Sequence, residues 1–322
     1  MIKVVIWTAV GRTALLEALA PLADVAVEVA HTSAEFFAAL SAAQIIVITG
    51  TSDTYSAEVA ARVRGARMLR WIHLMSAGYE GIVENGLPEH CVLTGPGEGV
   101  STAVAEHALA LLWALARGLP DAIRQQARQQ WDRKYAAETL TLAGKTLLVA
   151  GFGAIGRKIG VIAQAIGMHV IGVSRSGRPH ADAHEVHSFS NLLELLPRAD
   201  AIVVALPLAA TTLNLFDQHA FGHCRPGALF VNIGRGGTVD QRALLTALGE
   251  GTLRAAALDV MTPEPLPAGD ALWNTERLLL TPHVGGAGDP QAIRRMAAQF
   301  AEDVVRFIRN EPLVNVVLQH DF

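Results

Sequence analysis

Cysteine is scarce in this chain: there are two in 322 residues, Cys91 and Cys224. They lie far apart and match no metal-ligand spacing, which excludes a disulfide framework and a thiolate metal centre and leaves buried, reduced thiols. A basic excess is also missing. Lys and Arg number 26 against 30 Asp and Glu, a formal net charge of −4, so nothing marks a nucleic-acid partner. No uninterrupted apolar run reaches bilayer length; Ala108 to Ala116 is apolar but short and reads as a core helix, so no membrane partner is expected. Met1 leads straight into Ile2-Lys-Val-Val-Ile-Trp7 rather than into a charged segment with an apolar core and cleavage site. That predicts no signal peptide and a cytoplasmic protein. Aromatics are few, at 6%, whereas 51% of residues are hydrophobic, the balance of an Ala/Val/Leu-rich α/β protein.

Strand-like and helix-like runs alternate along the whole length, which predicts parallel sheets with helices on both faces. In the first part the strand candidates are Lys3–Trp7, Val25–Val29, Ile45–Ile48, Leu69–His73 and Cys91–Thr94. In the second they are Thr146–Ala150, Met168–Val173, Ala201–Leu206, Ala228–Ile233, Ala255–Val260 and Leu278–Thr281. Two breaker clusters punctuate the series, Gly95-Pro-Gly-Glu-Gly99 and Gly285-Gly-Ala-Gly288. A long helical pattern, Thr102–Gly118, follows the first and resumes after Pro120 to about Gln130. The second precedes a final helix with Asp289 as N-cap, Pro290 at its first position, and Ile293, Met296, Ala297, Phe300, Val304 and Ile308 on its apolar face. The predicted layout is discontinuous: residues 1–98 with 289–322 form one domain, and 99–288 form the other. Two short crossings make a hinge, with a ligand cleft between the domains.

The most informative stretch is Val149-Ala-Gly151-Phe-Gly153-Ala-Ile155-Gly156. A short apolar run, suited to a strand buried on both faces, ends in a Gly-x-Gly-x-x-Gly turn. Ile155, Ile159, Ile162, Ala163 and Ile166 then recur at helical spacing. Gly151 allows the tight turn, Gly153 lets a pyrophosphate approach the backbone, and Gly156 lets the helix pack close to the strand. The next strand ends at Ser174-Arg175-Ser176, where such folds carry an acid for the ribose of NAD. An acid would repel a 2′-phosphate, whereas Arg175 would pair with one through a bidentate fork. NADP(H) is therefore the preferred cofactor, with NAD(H) as the alternative.

Three later segments begin at the ends of apolar strands: Val231-Asn-Ile233-Gly-Arg235-Gly-Gly, Leu258-Asp259-Val-Met-Thr-Pro-Glu264-Pro, and Leu280-Thr-Pro-His283-Val-Gly285-Gly. Open parallel sheets bind ligands at that rim. An Arg fork binds a carboxylate and polarises an adjacent carbonyl. A His moves a proton near neutral pH, and a carboxylate beside it orients the ring and favours its protonated form.

These segments, with Val104-Ala-Glu-His-Ala-Leu-Ala-Leu111, resemble the D-isomer-specific 2-hydroxyacid dehydrogenase family over nearly the whole chain. The resemblance implies a Rossmann dinucleotide domain and a flavodoxin-like substrate domain, both doubly wound. It implies Arg235 as clamp of the substrate carboxylate, His283 as acid/base and Glu264 as its partner. Ser76-Ala77-Gly78 matches the substrate loop whose backbone N–H groups help hold the carboxylate, and Asp259 matches a residue near the nicotinamide carboxamide. The cofactor would then touch Gly151, Gly153, Ile155, Gly156, Ser174, Arg175, Ser176, Ile233, Arg235, Asp259, His283 and Gly285. The Ser-Arg-Ser segment looks like the NADPH-using glyoxylate/hydroxypyruvate reductase branch. Gly78-Tyr79-Glu80 stands where the family has Gly-Val-Asp, and Gly95–Val100 differs from the common Asn-Ala-Arg-Gly, so the identity of the small 2-keto acid stays open. Homodimerisation through the Val104–Leu119 helix is implied as well.

Other residues take plainer readings. His107 reads as a helix-packing or domain-contact residue. His180, His184 and His187, with Asp182 and Glu185, read as a polar surface loop rather than a metal site. Trp113 reads as core or interface, and Trp273 as a border of the pocket. Two further functions compete with the small-acid reductase: a dehydrogenase for a larger branched or aromatic 2-keto acid, and a non-catalytic nucleotide-sensing corepressor on the same fold.

Overall fold

The computed structural model describes residues 1–76, 78–286 and 289–318. In chain order the strands are β1 (Ile2–Trp7), β2 (Val25–Val29), β3 (Ile45–Ile48), β4 (Trp71–Leu74), β5 (Val92–Thr94), β6 (Thr146–Ala150), β7 (His169–Ser174), β8 (Glu185–Ser188), β9 (Ala201–Val204), β10 (Ala228–Asn232), β11 (Leu253–Leu258), β12 (Leu278–Leu280) and β13 (Val316–Leu318). The chain divides into two compact units, Met1–Ser101 with Gly288–Phe322, and Thr102–Ala287.

In the first unit the sheet order is β13-β5-β4-β3-β1-β2. Without β13, which pairs antiparallel to β5, this is the doubly wound 2-1-3-4-5 order. Strand periodicity builds the two layers. Val4 and Ile6 of β1 join Ile45 and Val47 of β3 on one face, against Trp71, Phe300 and Val304. Val5, Ile46 and Ile48 point to the opposite face, against Phe36, Val59 and Val63. The Pro290–Ile308 helix closes the first of these faces. Asp289 caps it by accepting from the N–H groups of Gln291 (2.9 Å) and Ala292 (3.1 Å), and Met296, Ala297, Phe300 and Val304 are buried.

The second unit has seven parallel strands in the order β12-β11-β10-β9-β6-β7-β8. Counted from β6, this is the Rossmann order 3-2-1-4-5-6 with one strand added. Order reverses at β6, which lies between β7 and β9, so the switch point falls where the glycine turn begins. Since every strand runs the same way, Gly151, Arg175, Ala205, Ile233, Asp259 and Thr281 all leave the sheet along one rim.

Two readings need correction. The segment with His184 and His187 was expected as a loop, but Glu185–Ser188 forms the edge strand β8, in parallel register with Ile171–Ser174. Its polar residues hid it, because an edge strand need not be apolar on both faces. Glu185 accepts from His169 Nε2 at 2.9 Å and His187 Nε2 at 2.7 Å, and Arg198 beside it holds its carboxyl down at about 2. The long helix also starts earlier than expected and runs Glu98–Ala116. Its Gly99–Ala116 window, with mean hydropathy 1.4, is long and apolar enough to cross a membrane, because Glu106 and His107 barely interrupt it. Half of that window is buried within the fold.

Candidate active site

The glycine turn has the steric form its sequence requires. Gly151 has φ +103°, and a Cβ there would lie 2.4 Å from the Ala205 carbonyl oxygen. At Gly156 a Cβ would lie 2.2 Å from the Gly151 carbonyl oxygen. Gly153 is different: a Cβ there would meet nothing within 4 Å among the described residues. Gly153 also N-caps the Ala154–Ala165 helix without a side-chain cap, and no acidic residue stands in the first turn. Free amides facing open space fit a pyrophosphate. Phe152, between the first two glycines, escaped the sequence reading. Its ring packs where Gly160 and Gly172 leave room, with a Cβ on Gly172 coming within 2.6 Å of it.

The Ser174–Ser176 segment starts at the last residue of β7. Ser174 Oγ accepts from Gly177 N at 3.1 Å, and Ser176 Oγ from Arg178 N at 3.3 Å. Arg175 is exposed, and no carboxylate pairs with it among the described residues. An unpaired guanidinium beside two hydroxyls fits a 2′-phosphate and offers nothing to repel one.

On the opposite side of the switch point the loops interlock. A Cβ on Gly234 would lie 2.5 Å from the Leu206 carbonyl oxygen, and one on Gly236 would lie 2.1 Å from that of Met261. The turn carrying Arg235 is thus pressed between the loops after β9 and β11. Asn232 shapes it: Oδ1 accepts from Gly234 N (3.0 Å) and Nδ2 donates to the Arg235 carbonyl (3.1 Å). Arg235 is half-buried, and its Nη1 donates to the Gly234 carbonyl at 2.6 Å. Ile233 is buried.

His283 and Glu264 meet. Nδ1 of His283 lies 2.7 Å from Oε2 of Glu264, while Oε1 of Glu264 accepts from Met261 N at 2.9 Å. A carboxylate only accepts, so the proton sits on Nδ1 and Nε2 is the nitrogen left for chemistry. The ring is 47% exposed. His283 has φ +52°, a left-handed conformation that needs support from its surroundings. Asp259, 2% exposed, supplies much of it. Its carbonyl accepts from His283 N (2.8 Å), Oδ1 accepts from Val284 N (3.0 Å) and Thr281 Oγ1 (2.6 Å), and Oδ2 accepts from Gly285 N (2.9 Å). Both carboxylate oxygens therefore face the turn that carries the histidine. His107, read from sequence as a packing residue, is a member of this network: its Nε2 lies 3.2 Å from Asp259 Oδ1 and 3.2 Å from Thr281 Oγ1. A histidine in the apolar second half of the helix was the one available signal.

Beside the pair is a cavity of about 570 Å³ lined by Met261, Glu264, Pro265, Leu266, Trp273, Leu280 and Thr281 to His283. Trp273 borders it, with its indole N–H donating to the Pro267 carbonyl at 2.9 Å. In the first unit, Ser76 Oγ accepts from Gly50 N (3.1 Å) and donates to the Gly78 carbonyl (2.9 Å), so its hydroxyl braces the segment. Ala77, expected in the same loop, lies outside the described residues.

The sheet order, the open glycine turn and the Arg, Glu and His rim are those of a dinucleotide-binding Rossmann unit. Residues 109–285 match the family model described as D-isomer specific 2-hydroxyacid dehydrogenase, NAD binding domain. D-3-phosphoglycerate dehydrogenase of Methanocaldococcus jannaschii is 31% identical over 98% of this chain and 59% of its own length. The chain thus spans only part of that relative. Glyoxylate reductase of Pyrococcus furiosus is 31% identical over 82% of this chain and 80% of its own. The crystal structure of a D-isomer specific 2-hydroxyacid dehydrogenase from Xanthobacter autotrophicus, in complex with NADPH and MES, superposes with a TM-score of 0.82 at 25% identity, covering 98% of each chain. The chain belongs to the D-isomer specific 2-hydroxyacid dehydrogenase family.

Proposed function

We propose that this protein is an NADPH-dependent reductase that converts a small 2-keto acid of the glyoxylate or hydroxypyruvate type to the D-2-hydroxy acid. The 2.7 Å contact of His283 Nδ1 with Glu264 carries the reading, because it leaves Nε2 as the proton-handling atom on the rim that also holds Arg235. A nicotinamide held by this cleft would supply the hydride that the keto carbon takes up. Arg235 holds the substrate carboxylate through its planar fork. His283 Nε2 gives a proton to the forming alkoxide oxygen, and Glu264 keeps the ring oriented with Nε2 turned away from it. Asp259 keeps the His283 turn in place. Ser174, Arg175 and Ser176 receive the 2′-phosphate, and Gly151, Gly153, Ile155, Gly156, Ile233 and Gly285 shape the rest of the cofactor cleft.

The protein acts as a homodimer through the Val104–Leu119 region, in the cytoplasm, where free buried Cys91 and Cys224 stay reduced. Partly exposed Trp113 and Leu119 on that segment, followed by exposed Ile123 and Trp131 (95%), support the first point. Light scattering that finds only 34 kDa particles at micromolar concentration would remove it. The test of function is the initial rate of cofactor oxidation with glyoxylate, hydroxypyruvate, pyruvate and phenylpyruvate, each with NADPH and NADH. Turnover is expected with the small acids and NADPH. No turnover with any acid, despite measurable NADPH binding, would sink the reductase reading.

A further inference from the structure

The chain from Ser174 to His184 connects β7 to β8, and several contacts clamp it against the Ala154–Ala165 helix. Arg157, in the first turn of that helix, places Nη1 3.0 Å from Nε2 of His180. A guanidinium only donates, so Nε2 accepts and the ring proton sits on Nδ1. Nδ1 lies 3.1 Å from Oδ2 of Asp182, and the Asp182 amide approaches the same nitrogen at 3.3 Å, so both the side chain and the backbone of Asp182 meet that edge of the ring. Beneath this relay the backbones touch: a Cβ on Gly160 would lie 2.3 Å from the Asp182 carbonyl oxygen. The Phe152 ring meets the His180 ring edge-on, at 6.5 Å between centroids, and Gln164 Nε2 donates to the Ala181 carbonyl at 3.5 Å.

The same connection carries Ser174, Arg175 and Ser176. A phosphate is bound well only where its donors are already in place, since ordering a loop on binding costs affinity. We infer that His180 is a positioning residue for cofactor discrimination: bridging Arg157 and Asp182, it fixes the Ser174–Ser176 segment against the glycine-turn helix and so sets the preference for a 2′-phosphate. The inference rests on the NADPH reading above. It predicts an effect confined to one cofactor, because NADH has no group at that place.

The experiment is steady-state kinetics of the full-length enzyme with glyoxylate, varying NADPH or NADH, for wild type, His180→Ala, Asp182→Ala and His180→Gln. His180→Ala and Asp182→Ala are expected to raise KM for NADPH about tenfold and to leave KM for NADH and kcat within about twofold. His180→Gln, which keeps an acceptor for Arg157, is expected to restore most of the loss. Melting temperatures establish that each variant is folded, and Asp182→Ala stands in if His180→Ala is not. An unchanged NADPH/NADH ratio in the alanine variants, an equal rise in both KM values, or a His180→Gln no better than His180→Ala overturns the inference and leaves the cofactor reading intact. A wild-type enzyme without preference for NADPH overturns both.

Discussion

Replacing Glu264 by Gln tests the proton-handling arrangement more sharply than removing it. Oε1 of Glu264 is held by the Met261 N–H at 2.9 Å, and Oε2 faces His283 Nδ1 at 2.7 Å. In the Gln variant the amide oxygen stays with the Met261 N–H, a donor that cannot change its role as an imidazole can, so the amide nitrogen turns toward Nδ1. Two donors then face each other unless the ring gives up its Nδ1 proton. The ring becomes neutral with its hydrogen on Nε2, which opposes the cation needed for reduction and the free Nε2 lone pair needed for oxidation. A hydrogen bond to a charged group contributes about 1.5–3 kcal/mol. With the two side chains 47% and 34% exposed, solvent screening puts the effect at the low end. About 1.5 kcal/mol corresponds to roughly a tenfold loss in kcat in each direction, with KM for the keto acid little changed. Glu264→Ala admits water, which accepts from Nδ1–H as readily as it donates, so that variant should retain more activity than Glu264→Gln. Steady-state rates of reduction and oxidation at saturating cofactor decide it. Equal activity of Glu264→Gln and wild type, or Glu264→Ala worse than Glu264→Gln in both directions, would refute the reasoning.

Three further outcomes are expected. Arg235→Lys loses the planar fork and should lower kcat/KM for a 2-keto acid by about a hundredfold or more, measured with glyoxylate; an unchanged value removes the clamp assignment. Gly236→Ala would put a methyl 2.1 Å from the Met261 carbonyl oxygen, a backbone atom that cannot swing aside, so kcat/KM should fall at least about tenfold with a lowered melting temperature; a variant with wild-type kinetics contradicts the close seating of the two loops. Burial pushes His73 down from 6.5 to about 3. The unfolded chain therefore binds a proton that the folded one refuses, and stability is lost as pH falls through that interval by about 1.4 kcal/mol per pH unit, about 5 kcal/mol at most. Urea midpoints at pH 7.5 and 4.5 should separate far less in His73→Leu than in wild type.

Most of the candidate site was legible in the sequence because its residues lie in the loops that leave the strand ends. Gly151 to Gly156, Arg235, Glu264 and His283 each follow an apolar run, and the parallel sheet order gathers them without further information. What stayed hidden depends on contacts between distant segments. Nothing near His107 in sequence points to Asp259, 152 residues away, and the pairing exists only once a helix and a strand end are packed. The β8 edge was masked by histidines and a glutamate that satisfy one another rather than a core. Gly234 and Gly236 belong to the segment that carries the family resemblance, but only the loops pressed against them reveal why a side chain is excluded. His73 was invisible for a simpler reason, since a histidine among Trp71, Ile72 and Leu74 reads as part of an apolar strand. In the fold its Nδ1 meets Thr94 Oγ1 at 2.8 Å while Nε2 has no partner among the described residues.

The glycines that lock neighbouring turns together limit how such a molecule can be re-engineered. With Gly151 against Ala205, Gly234 against Leu206, and Gly236 against Met261, no single turn can be grafted from a distant relative without its neighbour, because each is the mould for the next. Altering which acid is accepted should therefore proceed by changing side chains that project from the rim, such as Leu266 or Trp273, while the peptide path beneath them is carried over whole.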